Sequence, residues 1–197
     1  MILPIVVYGD PVLRKVGEDI DKNYEGLDKL IEDMFETMYN AHGIGLAAPQ
    51  VGRPIRLFIV DLEPFAKDDD EDTKDYSPER KAELKDFKKV FINARMISEE
   101  GEEWKFNEGC LSIPKLLEDV CRKPQIKIEY LDRNFKKHVE TYDGVAARVI
   151  QHEYDHIDGK LFIDKISPFK RKLIAGKLKD ITSGKTTADY KTRLPRK

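Results

Sequence analysis

Near the C-terminal end of the chain, two histidines and a glutamate stand at a spacing suited to metal chemistry. Residues 152–156 read HEYDH, in a chain that contains four histidines in all. On a helix, residues i and i+4 lie on one face, so the imidazoles of His152 and His156 can reach one metal ion. A carboxylate beside that ion, here Glu153, can serve as general base for a bound water. The pattern predicts a metal site, and the simpler alternative is a helix with two surface histidines.

The residues around this motif favour a helix that presents both histidines inward. Asp143 is a suitable N-cap, and Gly159 suits the left-handed residue that follows a helix. Val145 and Val149 fall on the same face as the two histidines, so the motif projects from a mostly apolar stripe. A metal placed there is partly shielded from water, which strengthens the electrostatic contacts around it.

A catalytic metal site usually has three protein ligands and one open position, so a third ligand is needed. A metzincin has a third histidine at the position of Phe162, and a thermolysin-like enzyme uses a downstream Glu, which this chain lacks after residue 153. Asp164, Asp180 and Asp189 remain as downstream candidates, with no motif around any of them. The sequence therefore favours an upstream ligand, and a cysteine is the leading candidate.

The composition is that of one ordinary globular domain. The chain has 197 residues, 40% hydrophobic and 37% charged, and no apolar run approaches the length of a transmembrane helix. The first residues lack the basic region and cleavage site of a signal peptide. With only two cysteines, Cys110 and Cys121, a disulfide framework is not indicated, although the two can in principle pair once. We therefore expect a reducing cytoplasm as the location.

Positive charge is concentrated at the end of the chain. Residues 164–197 hold eleven Lys and Arg against three Asp, although the whole chain has a net charge of −2. Such a region suits a polyanionic partner, and it equally suits a solvated helix.

The remaining patterns predict an α+β fold in which antiparallel sheets fold around the histidine helix, with one helix before it and one after it. The predicted helices are 24–40, the histidine helix and 167–181, and the predicted strands include 55–61, 90–97 and a hairpin of 125–132 with 135–142. Residues 1–181 form one expected catalytic domain, and 182–197 a loose basic tail. Residues 67–89 are highly charged and predict a surface insertion, mobile at first, with a short exposed helix around 78–88.

Three motifs in this order resemble the peptide deformylase family: GIGLAAPQ at 43–50, EGCLS at 108–112 and QHEYDH at 151–156. The start of the chain, with DPVLR at 10–14, is also similar to that family, so the resemblance spans nearly the whole sequence. The departures are Ile157, where Leu is commoner, and the acidic insertion, which lies outside all three motifs.

The resemblance implies removal of the formyl group from the N-formylmethionine that begins new bacterial-type polypeptides. It implies Cys110, His152 and His156 as metal ligands, with water as the fourth, and Glu153 as the group that takes and returns the proton. The further residues that it implies are the Leu111 N–H and Gln50 amide as oxyanion donors and Ile44, Gly45 and Glu108 as substrate-binding positions.

The implied cofactor is one divalent metal ion, usually Fe(II) in this family, whereas the ligand types alone suggest zinc; nickel and cobalt also suit them. The implied partners are N-formylmethionyl nascent peptides and, through the basic C-terminal region, the ribosome. Two other classes stay open: a zinc endopeptidase with an Asp ligand, and a metal-stabilised binding protein with a closed site in which Cys121 is the fourth ligand.

Overall fold

The computed structural model describes residues 1–195 and consists of three sheets and five α-helices. The strands are β1 (Ile5–Val6), β2 (Gly45–Ala47), β3 (Leu57–Asp61), β4 (Lys88–Glu100), β5 (Trp104–Cys110), β6 (Ile113–Arg122), β7 (Gln125–Leu131), β8 (Lys137–Asp143) and β9 (Thr192–Arg193). The helices are α1 (Leu27–Asn40), α2 (Pro78–Lys85), α3 (Gly144–Ile157), α4 (Pro168–Leu173) and α5 (Ala175–Thr182). None of these helices is long and apolar enough to cross a membrane.

A five-stranded antiparallel sheet, in the order β2-β3-β4-β7-β8, lies between α1 and α3. The composition of strand β3 explains this position of the sheet, because all residues of the strand are buried. Phe58 and Val60 pack in the core that contains α3, whereas Leu57 and Ile59 pack in the core that contains α1. Alternate residues of a strand point to opposite faces, so a strand with apolar residues on both faces requires cover on both sides.

The hairpin of β5 and β6 lies beside α3 and contributes to a third hydrophobic core, in addition to the two on either side of the large sheet. Ile113, Leu116 and Val120 of β6 pack there with residues 161–163 and with the C-terminal helices. Helix α3 is therefore enclosed by the large sheet and the hairpin together. The predicted α+β class, with antiparallel sheets around the central helix, is confirmed.

Helix α3 ends as predicted and begins differently. Gly159 has a φ of +69°, which is the left-handed conformation expected after the C-terminus. Asp143 occupies the N-cap position but makes no capping hydrogen bond, and its carboxylate pairs instead with Arg80. The Tyr76 hydroxyl accepts from the Val145 N–H at 3.2 Å in its place. A side chain from the charged insertion thus contacts the start of the central helix.

Two predicted helices have different bounds in the structure. Helix α1 begins at Leu27 rather than at residue 24, because Gly26 before it adopts a φ of +73°. The single helix expected at 167–181 is two helices that meet at Ile174. Ile174 is buried with Leu178 of α5, whereas α4 buries none of its residues. The break therefore lets α5 pack on the third core while α4 stays at the surface.

The charged insertion is tied to the body of the protein at several points. Thr73 is fully buried, and its hydroxyl donates to the Phe65 carbonyl at 2.7 Å. Leu84 of α2 packs in the core around α3. Residues 88 and 89, expected at the end of the insertion, already belong to β4, where the Lys89 ammonium pairs with Glu140 at 2.9 Å. Charged residues in that strand hid its beginning from the sequence pattern.

Part of the segment expected to be a loose tail, 182–197, pairs with another part of the chain. Beyond α5 the chain returns to its own N-terminus, where β9 pairs in parallel with β1. The pairing includes a hydrogen bond from the Ile5 N–H to the Lys191 carbonyl at 2.9 Å. Residues 190–193 therefore contact the body of the domain. Residues 196 and 197 of the expected tail lie outside the described residues.

Candidate active site

Two histidines of α3 and one cysteine of β5 place their ligand atoms together. The three groups are Cys110, His152 and His156, whose ligand atoms all lie within 4.8 Å of one another. The Cys110 Sγ is 3.4 Å from the His156 Nε2. Ligands bound at 2.0–2.3 Å around a tetrahedral ion are about 3.5 Å apart, so this spacing fits one metal ion. A thiolate with two imidazoles suits zinc and the late divalent metals.

The other proposed ligands are not part of this group. Asp164 pairs with Arg14 and Arg171, and Asp180 is half exposed with Lys185 3.8 Å away. Cys121 is exposed and unpaired, on the other end of the β5–β6 hairpin. Within residues 1–195, Cys110, His152 and His156 form the sole cluster of three or more potential ligands. The geometry therefore favours the cysteine over an aspartate and gives no fourth protein ligand.

Beneath the histidines lies a buried network of charges centred on Glu108. This carboxylate is 4% exposed, and its Oε2 is 2.9 Å from the His152 Nδ1. Arg122 donates to both of its oxygens, at 2.7 and 3.0 Å, and Arg148 donates to Oε1 at 3.0 Å. Arg122 also donates to Asp155 of α3 at 2.7 Å. Burial opposes ionisation, but the bonds from His152 and Arg122 prevail and hold the pKa of Glu108 well below its usual range.

This arrangement bears on the expected role of Glu108. A carboxylate that accepts from the outer nitrogen of a metal-binding histidine fixes the orientation of the ring. Because both of its oxygens are already bound to protein groups, the side chain is better placed to hold His152 than to bind substrate. The sequence pattern did not predict a site role for Arg148, because it indicates a mostly apolar stripe on α3. Its guanidinium is buried by stacking 4.6 Å from the Trp104 ring centre.

Glu153 lies next to the ligands and stays available for proton transfer. It is 4% exposed, and burial raises its pKa to about 7. Its Oε2 has no hydrogen-bonding partner within the described residues. Gly45 of β2 makes room for this side chain, because a Cβ at Gly45 would lie 2.5 Å from the Glu153 Oε1. A buried carboxyl with a pKa near neutrality suits a general base that must also return its proton.

Gln50 and Leu111 lie beside Cys110. The Gln50 Nε2 is 3.5 Å from the Cys110 Sγ and donates to the Ser112 hydroxyl at 3.2 Å. Its Oε1 accepts from the Ala47 N–H at 2.9 Å, so the amide orientation is fixed with the nitrogen toward the site. Leu111 follows Cys110 in the turn between β5 and β6.

These groups open into a cavity of about 520 Å³. Eight of the nine site residues expected from the sequence line it: Ile44, Gly45, Gln50, Glu108, Cys110, Leu111, His152 and Glu153. The ninth, His156, is 1% exposed and lies behind them. The lining residues that sequence reasoning missed include Phe106, Arg148 and Tyr190. Tyr190 comes from the segment that was expected to be a loose tail.

A Cys-His-His group beside a buried carboxylate and an open cavity has the features of a catalytic metal site that hydrolyses its substrate. The sequence model of the polypeptide deformylase family matches residues 2–172. The chain therefore belongs to the peptide deformylase family, whose members are metal-dependent hydrolases that remove N-formyl groups from nascent peptides.

Relatives and solved structures agree with this assignment. A peptide deformylase of Flavobacterium psychrophilum is 62% identical over 194 residues, covering 98% of this chain and 97% of that protein. One from Christiangramia forsetii is 58% identical over 195 residues, covering 99% and 97%. The crystal structure of a peptide deformylase from Legionella pneumophila matches with a TM-score of 0.76 at 36% identity, covering 94% of this chain and 98% of that one. The family and activity expected from the motifs are thereby confirmed.

Proposed function

We propose that Cys110, His152 and His156 hold one divalent metal ion and that Glu153 handles the proton during hydrolysis of the formyl amide. The observation that carries this proposal is the convergence of three ligand atoms beside a buried carboxylate oxygen that has no hydrogen-bonding partner among residues 1–195. A divalent ion held there supplies the Lewis acid and the activated water that amide hydrolysis needs. No described residue offers a fourth ligand in the cluster, which leaves a position for water or substrate.

Glu153 accepts a proton from the attacking water at its free Oε2 and delivers it to the departing amine nitrogen. The carbon–nitrogen bond of the formyl amide breaks, the water oxygen stays on the carbon, and the products are formate and the free amine. Burial favours the protonated carboxyl, and this makes the return of the proton to the amine easier.

Negative charge develops on the formyl oxygen as the amide is attacked, and hydrogen-bond donors fixed in advance stabilise it. We assign this role to the Gln50 amide nitrogen and to the Leu111 N–H. The support is the fixed orientation of Gln50, whose other end is held by the Ala47 N–H. Both residues line the cavity beside Cys110.

The substrate backbone is proposed to lie along β2. This strand is at the edge of the five-stranded sheet, and Ile44 and Gly45 line the cavity. An extended peptide can add to such an edge through main-chain hydrogen bonds. The apolar side chains of Ile44, Phe106 and Val149 offer a lining suited to methionine.

The metal is proposed to be Fe(II), on the strength of the family resemblance, although the same ligands suit zinc, nickel and cobalt. The proposed substrate, an N-formylmethionyl nascent peptide, places the activity in a bacterial-type cytoplasm, where such chains begin. Both cysteines are free, in agreement with that compartment.

The ribosome is the proposed docking partner for the basic C-terminal helices. Two of the basic residues in these helices already have acidic partners: Lys170 pairs with Glu118 at 3.5 Å and Arg171 with Asp164 at 2.9 Å. Lys172 of α4 and Lys177 and Lys179 of α5 are exposed and make no ion pair within residues 1–195. These three are the strongest candidates for contact with ribosomal RNA.

The proposed function is tested by formate release from a formyl-Met peptide, with protein purified anaerobically and analysed for metal. We expect formate release from the formyl peptide, none from the matching acetyl peptide, and loss of activity after chelation. Turnover that survives complete removal of the metal would contradict the proposal.

A further inference from the structure

The two ends of the chain meet at the turn that follows Cys110. Strand β9 lies alongside β1, with the Val7 N–H bound to the Arg193 carbonyl at 3.1 Å. The next residue along the N-terminal segment, Tyr8, donates its N–H to the Ser112 carbonyl at 2.8 Å. The N-terminal segment is thus a direct link between the C-terminal strand and the active-site turn.

Tyr190 makes a second link, from a side chain two residues before β9. Its hydroxyl donates to the Leu111 carbonyl at 2.7 Å, and the residue is half-buried in the wall of the active-site cavity. Burial, with the neighbouring Cys110 and Asp189, raises the pKa of Tyr190, so the hydroxyl keeps its proton and remains a donor.

These contacts fix two successive carbonyls in the turn between β5 and β6. The Leu111 carbonyl is held by Tyr190 and the Ser112 carbonyl by Tyr8. The Ser112 hydroxyl is in turn an acceptor for the Gln50 amide. The Leu111 and Ser112 carbonyls belong to the two peptide planes on either side of Ser112. The Leu111 N–H belongs to the preceding plane, which meets the first of these at the Leu111 Cα and continues from Cys110 at the end of β5. A held Leu111 carbonyl therefore limits rotation about that Cα, and with it the direction in which the Leu111 N–H points. A donor for a developing oxyanion is effective only when its direction is fixed beforehand.

We propose that Tyr190 is a positioning residue for the reaction: its hydroxyl, through the Leu111 carbonyl, fixes the turn that presents the Leu111 N–H to the reacting formyl oxygen. This inference rests on the proposed function of Leu111. It makes the C-terminal segment part of the active site, in contrast to a dispensable tail.

The test is Tyr190→Phe in the full chain, which keeps the ring in the cavity wall and removes only the hydroxyl. We expect kcat to fall about three- to tenfold, as one neutral hydrogen bond allows, while KM stays within about twofold. Metal content is expected to equal that of the unsubstituted protein, because no ligand is changed. Tyr39→Phe is the matched control, since its hydroxyl also bonds one partner, Asp61 at 2.5 Å, away from the cavity lining.

A second measurement reports on the turn without using activity. In the zinc-loaded, ¹⁵N-labelled protein, Tyr190→Phe is expected to shift the backbone amide signals of Leu111 and Ser112 and to speed their hydrogen exchange. Tyr39→Phe is expected to leave both signals in place. Zinc is suitable because it is diamagnetic and fits the same ligands.

Unchanged kcat together with unchanged amide signals in Tyr190→Phe would overturn the inference. A lowered melting temperature with unchanged kcat would also overturn it, because the hydroxyl would then serve stability alone. If instead the unsubstituted protein released no formate, the proposed function would fail, while the amide signals would still show whether Tyr190 holds the turn.

Discussion

Glu153 lines the same cavity as Cys110 and His152, but its surroundings give it a different task. The ligand atoms of the two histidines and Cys110 point at one another, whereas the Glu153 Oε2 has no partner in residues 1–195. A carboxylate beside a metal centre, rather than in it, can be exchanged for an amide without removing a ligand. In the proposed site, substitutions can therefore separate metal binding from proton transfer.

Glu153→Gln is expected to retain the metal while turnover falls by roughly a hundred- to ten-thousandfold, because the amide cannot accept the proton. His152→Ala is the comparison that is expected to lose both metal and activity. Metal analysis and formate release on the same samples check this. Near-full formate release by Glu153→Gln at saturating metal would show that another group is the base.

Part of this residue-level arrangement was predictable from the sequence. The i, i+4 spacing on a helix brings His152 and His156 together without any tertiary information. The position of Cys110 followed from motif resemblance, since nothing local connects residues 110 and 152. The charge network could not be predicted, because Arg122 and Glu108 meet only through the pairing of β5 with β6.

Three adjacent strands of the large sheet share one half-buried charge cluster. The Glu140 carboxylate of β8 accepts hydrogen bonds from Tyr130 of β7 at 2.6 Å, from Tyr142, and from Lys89 of β4 at 2.9 Å. Burial opposes ionisation, but these three donors outweigh it and lower the pKa of Glu140 to about 2. Because the carboxylate is more acidic in the folded protein, its ionised form stabilises the fold at pH values above 4.5, the usual pKa. This stabilisation is lost as the pH falls toward 2.

Glu140→Gln is therefore expected to lower the free energy of unfolding by about 1 kcal/mol at pH 7, a value reduced by the partial exposure of the carboxylate. The difference in the free energy of unfolding between the variant and the unsubstituted protein is expected to shrink as the pH falls from 4.5 to 2. Glu129→Gln is the control, since its pair with Lys137 at 2.8 Å lies at the surface. Urea unfolding at several pH values measures both. If Glu140→Gln lowered the free energy of unfolding equally at every pH, the ionised Glu140 would not be the source of the stability.

The sequence predicted the elements with strong periodicity and missed those that depend on distant contacts. Helices α1 and α3 and the hairpin of β7 and β8 were recognised because their apolar residues repeat at helical or strand spacing. Strand β9 has two residues and no pattern of its own, so only its pairing with β1 defines it. The break at Ile174 likewise depends on which side chains the third core accepts.

At the scale of the whole molecule, composition and motif order were sufficient for the fold class and the family. The contact between the two ends of the chain could not be predicted from the sequence, because it joins residues 5 and 192, which are separated by nearly the full sequence. The same packing leaves a cluster of exposed positive charge on α4 and α5, in a chain whose net charge is −2.

Reversing Lys172, Lys177 and Lys179 to Glu is expected to weaken co-sedimentation with ribosomes and to leave formate release from a short peptide unchanged. Binding to RNA releases counterions, so the logarithm of the affinity falls linearly with the logarithm of the salt concentration. We expect the steepness of that line to decrease by about one unit for each lysine reversed. The matched control reverses Lys22, Lys105 and Lys127, which are exposed on other parts of the surface. Co-sedimentation that is unaffected by the first triple reversal would contradict ribosome docking through these helices.

We expect Cys110 to complete the proposed metal centre, and the two cysteines of the chain provide a matched pair of variants. Cys110 lies in the ligand cluster, whereas Cys121 is exposed outside it. The measurement is metal content and formate release for Cys110→Ala and Cys121→Ala, purified anaerobically side by side. We expect Cys110→Ala to lose tightly bound metal and activity, and Cys121→Ala to keep both. A Cys110→Ala protein that still held one tightly bound metal and released formate would show that Cys110 is not a ligand.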